Sequence, residues 1–462
     1  MTSSDFDVIK TGNEQMDEIL HGGFPPNSIN IIMGQPGTGK TVFTEQMVFS
    51  NATDGDRPIL YITTLSEPVA KLLVYLQRFS FFDDEKIGTA VHYRDIGPEL
   101  VEKGLDHLLD VIKEAIHEIS PKIIVVDSLK ALHDLAGSTQ QMRRMLYELT
   151  GILTTFETTV FLVGEYSEDN VKQMPEFALA DGIVEFMRKS GSSRDERFVR
   201  VLKLRGSGYM EGMHGCKISA HGVKIYPRLV TPQIPERYDW LHESLSSGID
   251  GFENLIDSGI RRGSTSIVAG PTGGGKTTFA LQYVLEGVRQ GEQALYVNFQ
   301  ENPVQLRNTI KSLDAKMPDA GEGGLELLYS SPVELQIDSI IVEIFRLIKE
   351  KKFSRVVIDS LNDLAAASKD PQRLHEYIYS LTQHFVVNGV TSIITFETTG
   401  GLSESRAELA GKFSNIADNI FLLGINGPPD YDRTICCIKA RGVNHDLKPH
   451  TMQITSRGVK IN

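Results

Sequence analysis

The chain has 462 residues, 40% of them hydrophobic and 23% charged, which is material for about two to four globular domains and excludes a mini-protein, a collagen-like chain or a low-complexity polymer. Asp and Glu number 60 against 47 Lys and Arg, a net charge of -13 that disfavours nucleic acid as a partner, because such binding draws on a basic surface. Three cysteines (Cys216, Cys436, Cys437), two of them adjacent, build no disulfide framework, and no apolar run reaches the roughly 18 to 20 residues of a membrane span, so a cytoplasmic protein with no membrane partner is expected.

Taken in chain order, INIIMG, PILYIT, KIIVVDS, TVFLVGE and ADGIVEF read as strands, with helical patterns such as VFTEQMVFSN and GLDHLLDVIKEAIHEI between them. Continuous apolar runs mark strands covered on both faces, hence a mainly parallel sheet flanked by helices. RFVRVLKLRG and CKISAHGVKIY alternate more and suit a small antiparallel extension. Then comes YPRLVTPQIPERYDW, whose Pro227, Pro232 and Pro235 favour an extended linker. After it the whole plan begins again.

The segment Thr11 to Thr41 has a counterpart from Ser247 to Thr277, and Lys276 stands 236 positions after Lys40 (276 − 40). KLRG around Arg205 recurs as KARG around Arg441, and GVKI at Gly222 recurs at Gly458, each at the same separation. A period this long means two duplicated domains and not a solenoid. The expected division is residues 1–228, a linker over 229–242, and residues 243–462.

Both copies contain the pattern G-x-x-x-x-G-K-[ST] between a strand and a helix, as GQPGTGKT from Gly34 and GPTGGGKT from Gly270. In such a loop the backbone N–H groups turn in around phosphates, the lysine neutralises the outer ones and the hydroxyl ligates Mg²⁺. The residues expected on nucleotide are therefore Gly37, Thr38, Gly39, Lys40, Thr41 and Val42 in the first copy, and Gly273, Gly274, Gly275, Lys276, Thr277 and Thr278 in the second. Asp127 and Asp359, each ending a strand, are expected to join Thr41 and Thr277 at Mg²⁺. Each Asp is followed by serine (Ser128, Ser360), so the water-activating base must come from elsewhere. That arrangement points to two tandem RecA-like domains, whose base follows the strand after the P-loop helix.

With the Asp-Ser strand ends and KLRG and KARG in place, nearly the whole chain resembles the KaiC family, the clock ATPase and autokinase of cyanobacteria with its wider relatives. The resemblance implies a double RecA-like fold, a two-tiered homo-hexamer assembled by ATP, and nucleotide lying between subunits. It implies that Lys203, Leu204 and Arg205, and Lys439, Ala440 and Arg441, meet the nucleotide of a neighbouring copy, with Arg205 and Arg441 catalytic in trans beside Lys40 and Lys276. His445, just after KARG, is expected to approach the neighbour's nucleotide as well.

The pattern then breaks. Leu65 and Ser66 stand opposite Gln300 and Glu301, where the family carries paired glutamates. Leu65 takes no proton, and Glu67 is expected to point away unless the loop bends. Gln300 and Glu301 make the second half the expected catalyst, and the first is read as mainly a binding and assembly module. Ser414, with Asn415 beside it, is the one hydroxyl at the family's Ser-Thr phosphorylation pair, and a helix-cap role competes with acceptance of a phosphoryl group. Clock members extend past the last strand, whereas this sequence stops at GVKIN, so regulation through a tail is not expected.

The 12 histidines form no metal-like pairing with carboxylates, one of Cys436 and Cys437 is expected to pack inward, and Trp240 reads as a packing anchor. Two alternatives share the fold: a DNA-dependent recombinase or helicase motor, against which the acidic balance argues, and a nucleotide-sensing scaffold with little hydrolysis and an unknown signalling partner.

Overall fold

A computed structural model describes residues 8–65, 67–190, 195–238, 243–257, 259–313, 324–368, 370–427 and 431–462. Ser66 and Trp240 lie outside the described residues, and with them the readings made for those positions. The chain divides into two compact units, Met1–Arg228 and Leu229–Asn462. Leu229 packs against the core of the second unit, and His384 bonds to the carbonyl of Val230 at 2.8 Å, so the segment after Arg228 starts on that unit's surface.

Among the described residues the first unit builds one nine-stranded sheet from Ile29–Gly34 (β1), Ile59–Thr63 (β2), Val91–Asp95 (β3), Ile123–Asp127 (β4), Thr159–Gly164 (β5), Gly182–Lys189 (β6), Glu196–Leu204 (β7), His214–Ser219 (β8) and Gly222–Tyr226 (β9). The order is β3-β2-β4-β5-β1-β6-β7-β8-β9, parallel through β6 and antiparallel from β6 to β9. The second unit repeats it with Thr265–Gly270 (β10), Ala294–Asn298 (β11), Leu325–Tyr329 (β12), Arg355–Asp359 (β13), Thr391–Glu397 (β14), Asn419–Ile425 (β15), Arg433–Ala440 (β16), His450–Thr455 (β17) and Gly458–Ile461 (β18), in the same spatial order. These are two tandem RecA-like domains.

Strand side chains alternate across the sheet, and here both sides are covered. Ile31, Met33, Leu60 and Ile124 enter one core, while Ile32, Tyr61, Ile123 and Val125 enter the core on the other face. The same geometry corrects the cysteine expectation. Cys436 and Cys437 are both buried, one on each face of β16, because neither face of that strand meets water. Burial pushes the Cys437 thiol up to about 12 and raises that of Cys436, so neither is a ready thiolate. Among the described residues no helix is long and apolar enough to cross a membrane.

Candidate functional site

In each half the strands β1 and β10 run into the P-loop at the carboxyl end of the sheet, where open parallel sheets bind ligands. Gly39 and Gly275, at φ 109° and 102°, end the loops in a left-handed turn and cap the following helices Lys40–Asn51 and Lys276–Arg289. At these positive φ values any side chain would be strained, so the turns favour glycine, and a β-carbon would also press on the ends of the Ile218 and Ile454 side chains at 2.9 Å.

Lys40 Nζ donates to the Gln35 carbonyl at 3.0 Å, and Lys276 Nζ donates to the carbonyls of Gly270 and Pro271 at 3.0 Å. Each lysine thus caps its own loop with bonds that a phosphate would replace. Burial pushes both ammonium groups down from their ordinary range. Glu165 and Asp127 oppose that shift at Lys40, and Glu397 and Asp359 oppose it at Lys276. Thr41 Oγ1 donates to Asp127 at 3.2 Å and Thr277 Oγ1 to Asp359 at 2.9 Å, which brings together both residue pairs expected at Mg²⁺. Hydroxyl and carboxylate oxygens are hard donors of the kind Mg²⁺ takes together with substrate phosphates, so the residues fit the ion. Tyr61 and Tyr296 donate to the same two carboxylates at 3.1 and 2.7 Å, and both Asp-Ser peptide bonds are cis. Burial raises Asp127, opposed by the bonds from Tyr61 and Thr41 and by the charge of Lys40.

The first loop opens on a cleft of about 750 Å³ that Gly37, Gly39, Val42, Leu65, Glu67 and Glu165 also line. The second opens on one of about 340 Å³ with Gly273, Thr278, Gln300, Glu301 and Glu397 on its walls. Thr38 is buried, with its hydroxyl on the Gln35 carbonyl, and Gly274 packs against the carbonyl of Pro271, so both offer backbone alone. Gln300 donates its amide to the Asp363 carboxylate at 3.1 Å, which fixes its orientation. Glu301 has one carboxylate oxygen buried and without a hydrogen-bond partner.

The expectation for Glu67 depends on whether the loop bends. Glu67 lines the first cleft together with Leu65. The strand has ended before this point and the chain bends at Leu65, so the alternation of an extended strand does not carry through to Glu67.

The KLRG-type cations stand elsewhere in each half, and neither cleft is lined by its own pair. Lys203 donates to the carbonyls of Phe177 and Ala178, and Arg205 pairs with Asp181 at 3.2 Å. Lys439 donates to the carbonyls of Ser414 and Ala417 at 2.6 Å, and Arg441 pairs with Asp418 at 3.3 Å. Leu204 and Ala440 point into the cores, so these two contribute no side chain to any nucleotide. Ser414 is exposed at the end of the helix Leu402–Phe413, and its carbonyl receives Lys439. His445 pairs with Ile256 in a short bridge, with Nδ1 3.3 Å from the Val443 carbonyl.

Sequence reasoning missed Glu165, just after β5, and Glu397, the last residue of β14, which line the two clefts, and Arg197 and Arg433, which donate to the P-loop carbonyls of Gly37 and Gly273 at 3.3 and 3.0 Å. The signal was present: Arg197 and Arg433 share the 236-residue separation of the P-loop lysines.

The family model of the KaiC ATPase matches residues 9–230 and again 245–462. The "Circadian clock oscillator protein KaiC" of Picosynechococcus sp. is 27% identical over 468 residues, covering 98% of this chain and 89% of that protein. "Circadian clock oscillator protein KaiC 1" of Synechocystis sp. is also 27% identical, over 98% of this chain and 88% of its own length, and the KaiC of Prochlorococcus marinus is 25% identical over 98% and 92%. Two ATPase domains matched end to end, on two sheets of one topology, mean that the chain belongs to the KaiC ATPase family.

Proposed function

We propose that the protein holds Mg²⁺-ATP in both halves and completes each site with cations from a neighbouring copy, so that ATP assembles it into a two-tiered homo-hexamer. The supporting observation is the placement of Lys203, Arg205, Lys439 and Arg441. Each pair is ordered on its own half but lines neither cleft there, as expected of groups that act on another subunit's nucleotide.

Lys40 and Lys276 exchange their loop carbonyls for the outer phosphates, and the loop N–H groups hold the remaining oxygens. Thr41 with Asp127, and Thr277 with Asp359, hold Mg²⁺, which supplies neutralising charge to the phosphate chain. In the second half Glu301 accepts the proton of the attacking water while Gln300, pinned by Asp363, orients it. Arg205 and Arg441 stabilise the transferring phosphoryl charge in trans, with Lys203, Lys439 and His445 beside them. Water's oxygen bonds to the γ-phosphorus as the bridging oxygen leaves with ADP.

The test is the number of ATP molecules bound per chain together with the mass in solution. Two ATP per chain are expected, one in each of Lys40→Ala and Lys276→Ala, and a larger mass with ATP than without. A chain that binds no ATP, or whose mass ignores saturating ATP, overturns the reading.

A further inference from the structure

The first half carries Leu65 and Ser66 where the second carries Gln300 and Glu301, and so lacks an acid at either position. We infer that Glu67 is the proton acceptor for water at the first-half ATP site, so that the two halves hydrolyse ATP with bases drawn from different positions of the same loop. This rests on the ATP-binding reading above and extends it to a half that the aligned positions leave without a base.

The geometry starts from the end of β2 at Thr63. The next residue is tied to the strand that carries Asp127: Thr64 N donates to the Asp127 carbonyl at 2.9 Å, and Ser128 N donates to Thr64 Oγ1 at 2.9 Å. The loop therefore leaves the sheet beside the carboxylate that accepts from Thr41. Leu65 and Glu67 then both line the cleft, and Pro68, extended at ψ 138°, starts the helix Val69–Leu76 immediately afterwards. Glu67 thus directly precedes the helix start. One of its oxygens pairs with Lys71 at 3.0 Å, one turn into that helix, and its charge is among the influences that raise Asp127.

The second half has the opposite arrangement. Asn302 occupies the position that corresponds to Glu67, and it faces its own helix. Its Oδ1 accepts from the N–H groups of Val304 and Gln305 at 3.0 Å, capping Pro303–Ser312. The half with Glu301 has a helix cap at the third loop position, and the half with no acid at the first two has a cleft-lining carboxylate at the third.

In the step this assigns, water's oxygen forms its bond to the γ-phosphorus while the bond from that phosphorus to the β–γ bridging oxygen breaks. The electron pair of the broken bond leaves with ADP. One water proton stays on the new phosphate and the other passes to the Glu67 carboxylate, then to solvent on product release. Glu165 lines the same cleft just after β5, where its charge acts on Lys40.

The experiment uses the full chain with Lys276→Ala, which confines ATP to the first half, and measures ATP bound and phosphate released. One ATP per chain and continued turnover are expected. Adding Glu67→Gln should lower kcat by about 100-fold or more while the Kd for ATP stays within about twofold, since a general base contributes about 10² to 10⁴. Adding Leu65→Glu to Glu67→Gln should restore about a tenth or more of the lost rate, because residue 65 lines the same cleft, and a purely structural role for Glu67 would not respond in this way. ATP bound but turnover indifferent to Glu67→Gln, or a silent Leu65→Glu double variant, would each overturn the inference and leave ATP binding intact. No ATP bound in the Lys276→Ala chain would overturn the binding reading and this inference with it.

Discussion

Glu45 is the residue at which the two P-loop helices differ most. It lies fully buried one turn beyond Lys40 and Thr41, and its Oε2 accepts from the Tyr93 hydroxyl at 2.8 Å. The second half has apolar Leu281 at the corresponding position, and Leu327 is the register partner of Tyr296 as Tyr93 is of Tyr61. Burial pushes the Glu45 carboxyl up to about 8, with the Tyr93 bond opposing. Below the ordinary value of 4.5 the group is protonated whether the chain is folded or not. Between there and about 8 the unfolded chain gives up the proton and the folded one keeps it, so stability falls as pH rises through that window and levels off above it. The loss is on the order of 3 to 5 kcal/mol. Copying the second half with Glu45→Leu and Tyr93→Leu should flatten the dependence of Tm on pH between about 5 and 8, as thermal denaturation across that range would read. A Tm profile as steep as that of the parent protein counts against a buried, proton-holding Glu45. Composition and periodicity gave no sign of this pair, because a glutamate on a helix ordinarily reads as a solvated face and only the pleat of β3 brings Tyr93 over it.

Among the elements, those with continuous apolar runs were the ones legible in sequence. β1, β2, β4 and β5 are covered on both faces, so each of their residues is selected for burial and the run stands out. The strands β3 (VHYRD) and β12 (LELLY) escaped notice because they lie at the sheet edge, are half-buried, and have no such run. The P-loops were legible for a different reason: their glycines are dictated by backbone geometry. Gly34 closes β1 at φ 147°, and a β-carbon there would stand 2.0 Å from the carbonyl oxygen of Phe186 on neighbouring β6. Backbone cannot move aside as a flexible side chain can. Gly34→Ala should therefore cost about 2 kcal/mol or more and displace the loop, lowering ATP affinity at the first site in step with stability. Gly37→Ala, whose β-carbon would meet nothing within 4 Å, carries only the strain of φ 72° and should cost about 1 to 2 kcal/mol. Chemical denaturation of the two variants side by side checks the order, and a Gly34→Ala protein as stable as the parent would contradict the close β1–β6 approach.

For the whole molecule, duplication places the elements of the site twice, and features that both halves keep in common stand out against those that differ. Both keep a Lys and Arg two residues apart beside an Asp, at the end of β7 and of β16. Arg205 and Arg441 are 58% and 57% exposed, and an exposed ion pair contributes about 0 to 1 kcal/mol, so Asp181 and Asp418 give no stability reason for either guanidinium. Lys203 and Lys439 have their ammonium groups lowered by burial and then by the charge of the adjacent arginine, which means that each pair of cations crowds at a cost that an arriving anion would relieve. A pair cheap to redirect and favoured by a nearby phosphate is suited to a neighbour's triphosphate, and it is also expendable to the fold. Replacing both guanidiniums, Arg205→Ala with Arg441→Ala, should accordingly leave Tm within about 2 °C of the parent, since loss of exposed pairs is worth only about 1 kcal/mol in all. Each chain should still take up ATP at its P-loops. Phosphate release, by contrast, should fall by about 10³ or more, the scale on which a trans arginine acts on transferring phosphoryl charge, and ATP should no longer raise the mass in solution. Light scattering with and without ATP, run beside the turnover assay, separates the two consequences. Full turnover by a protein that ATP still assembles would mean that the cations serve only their own edge strands.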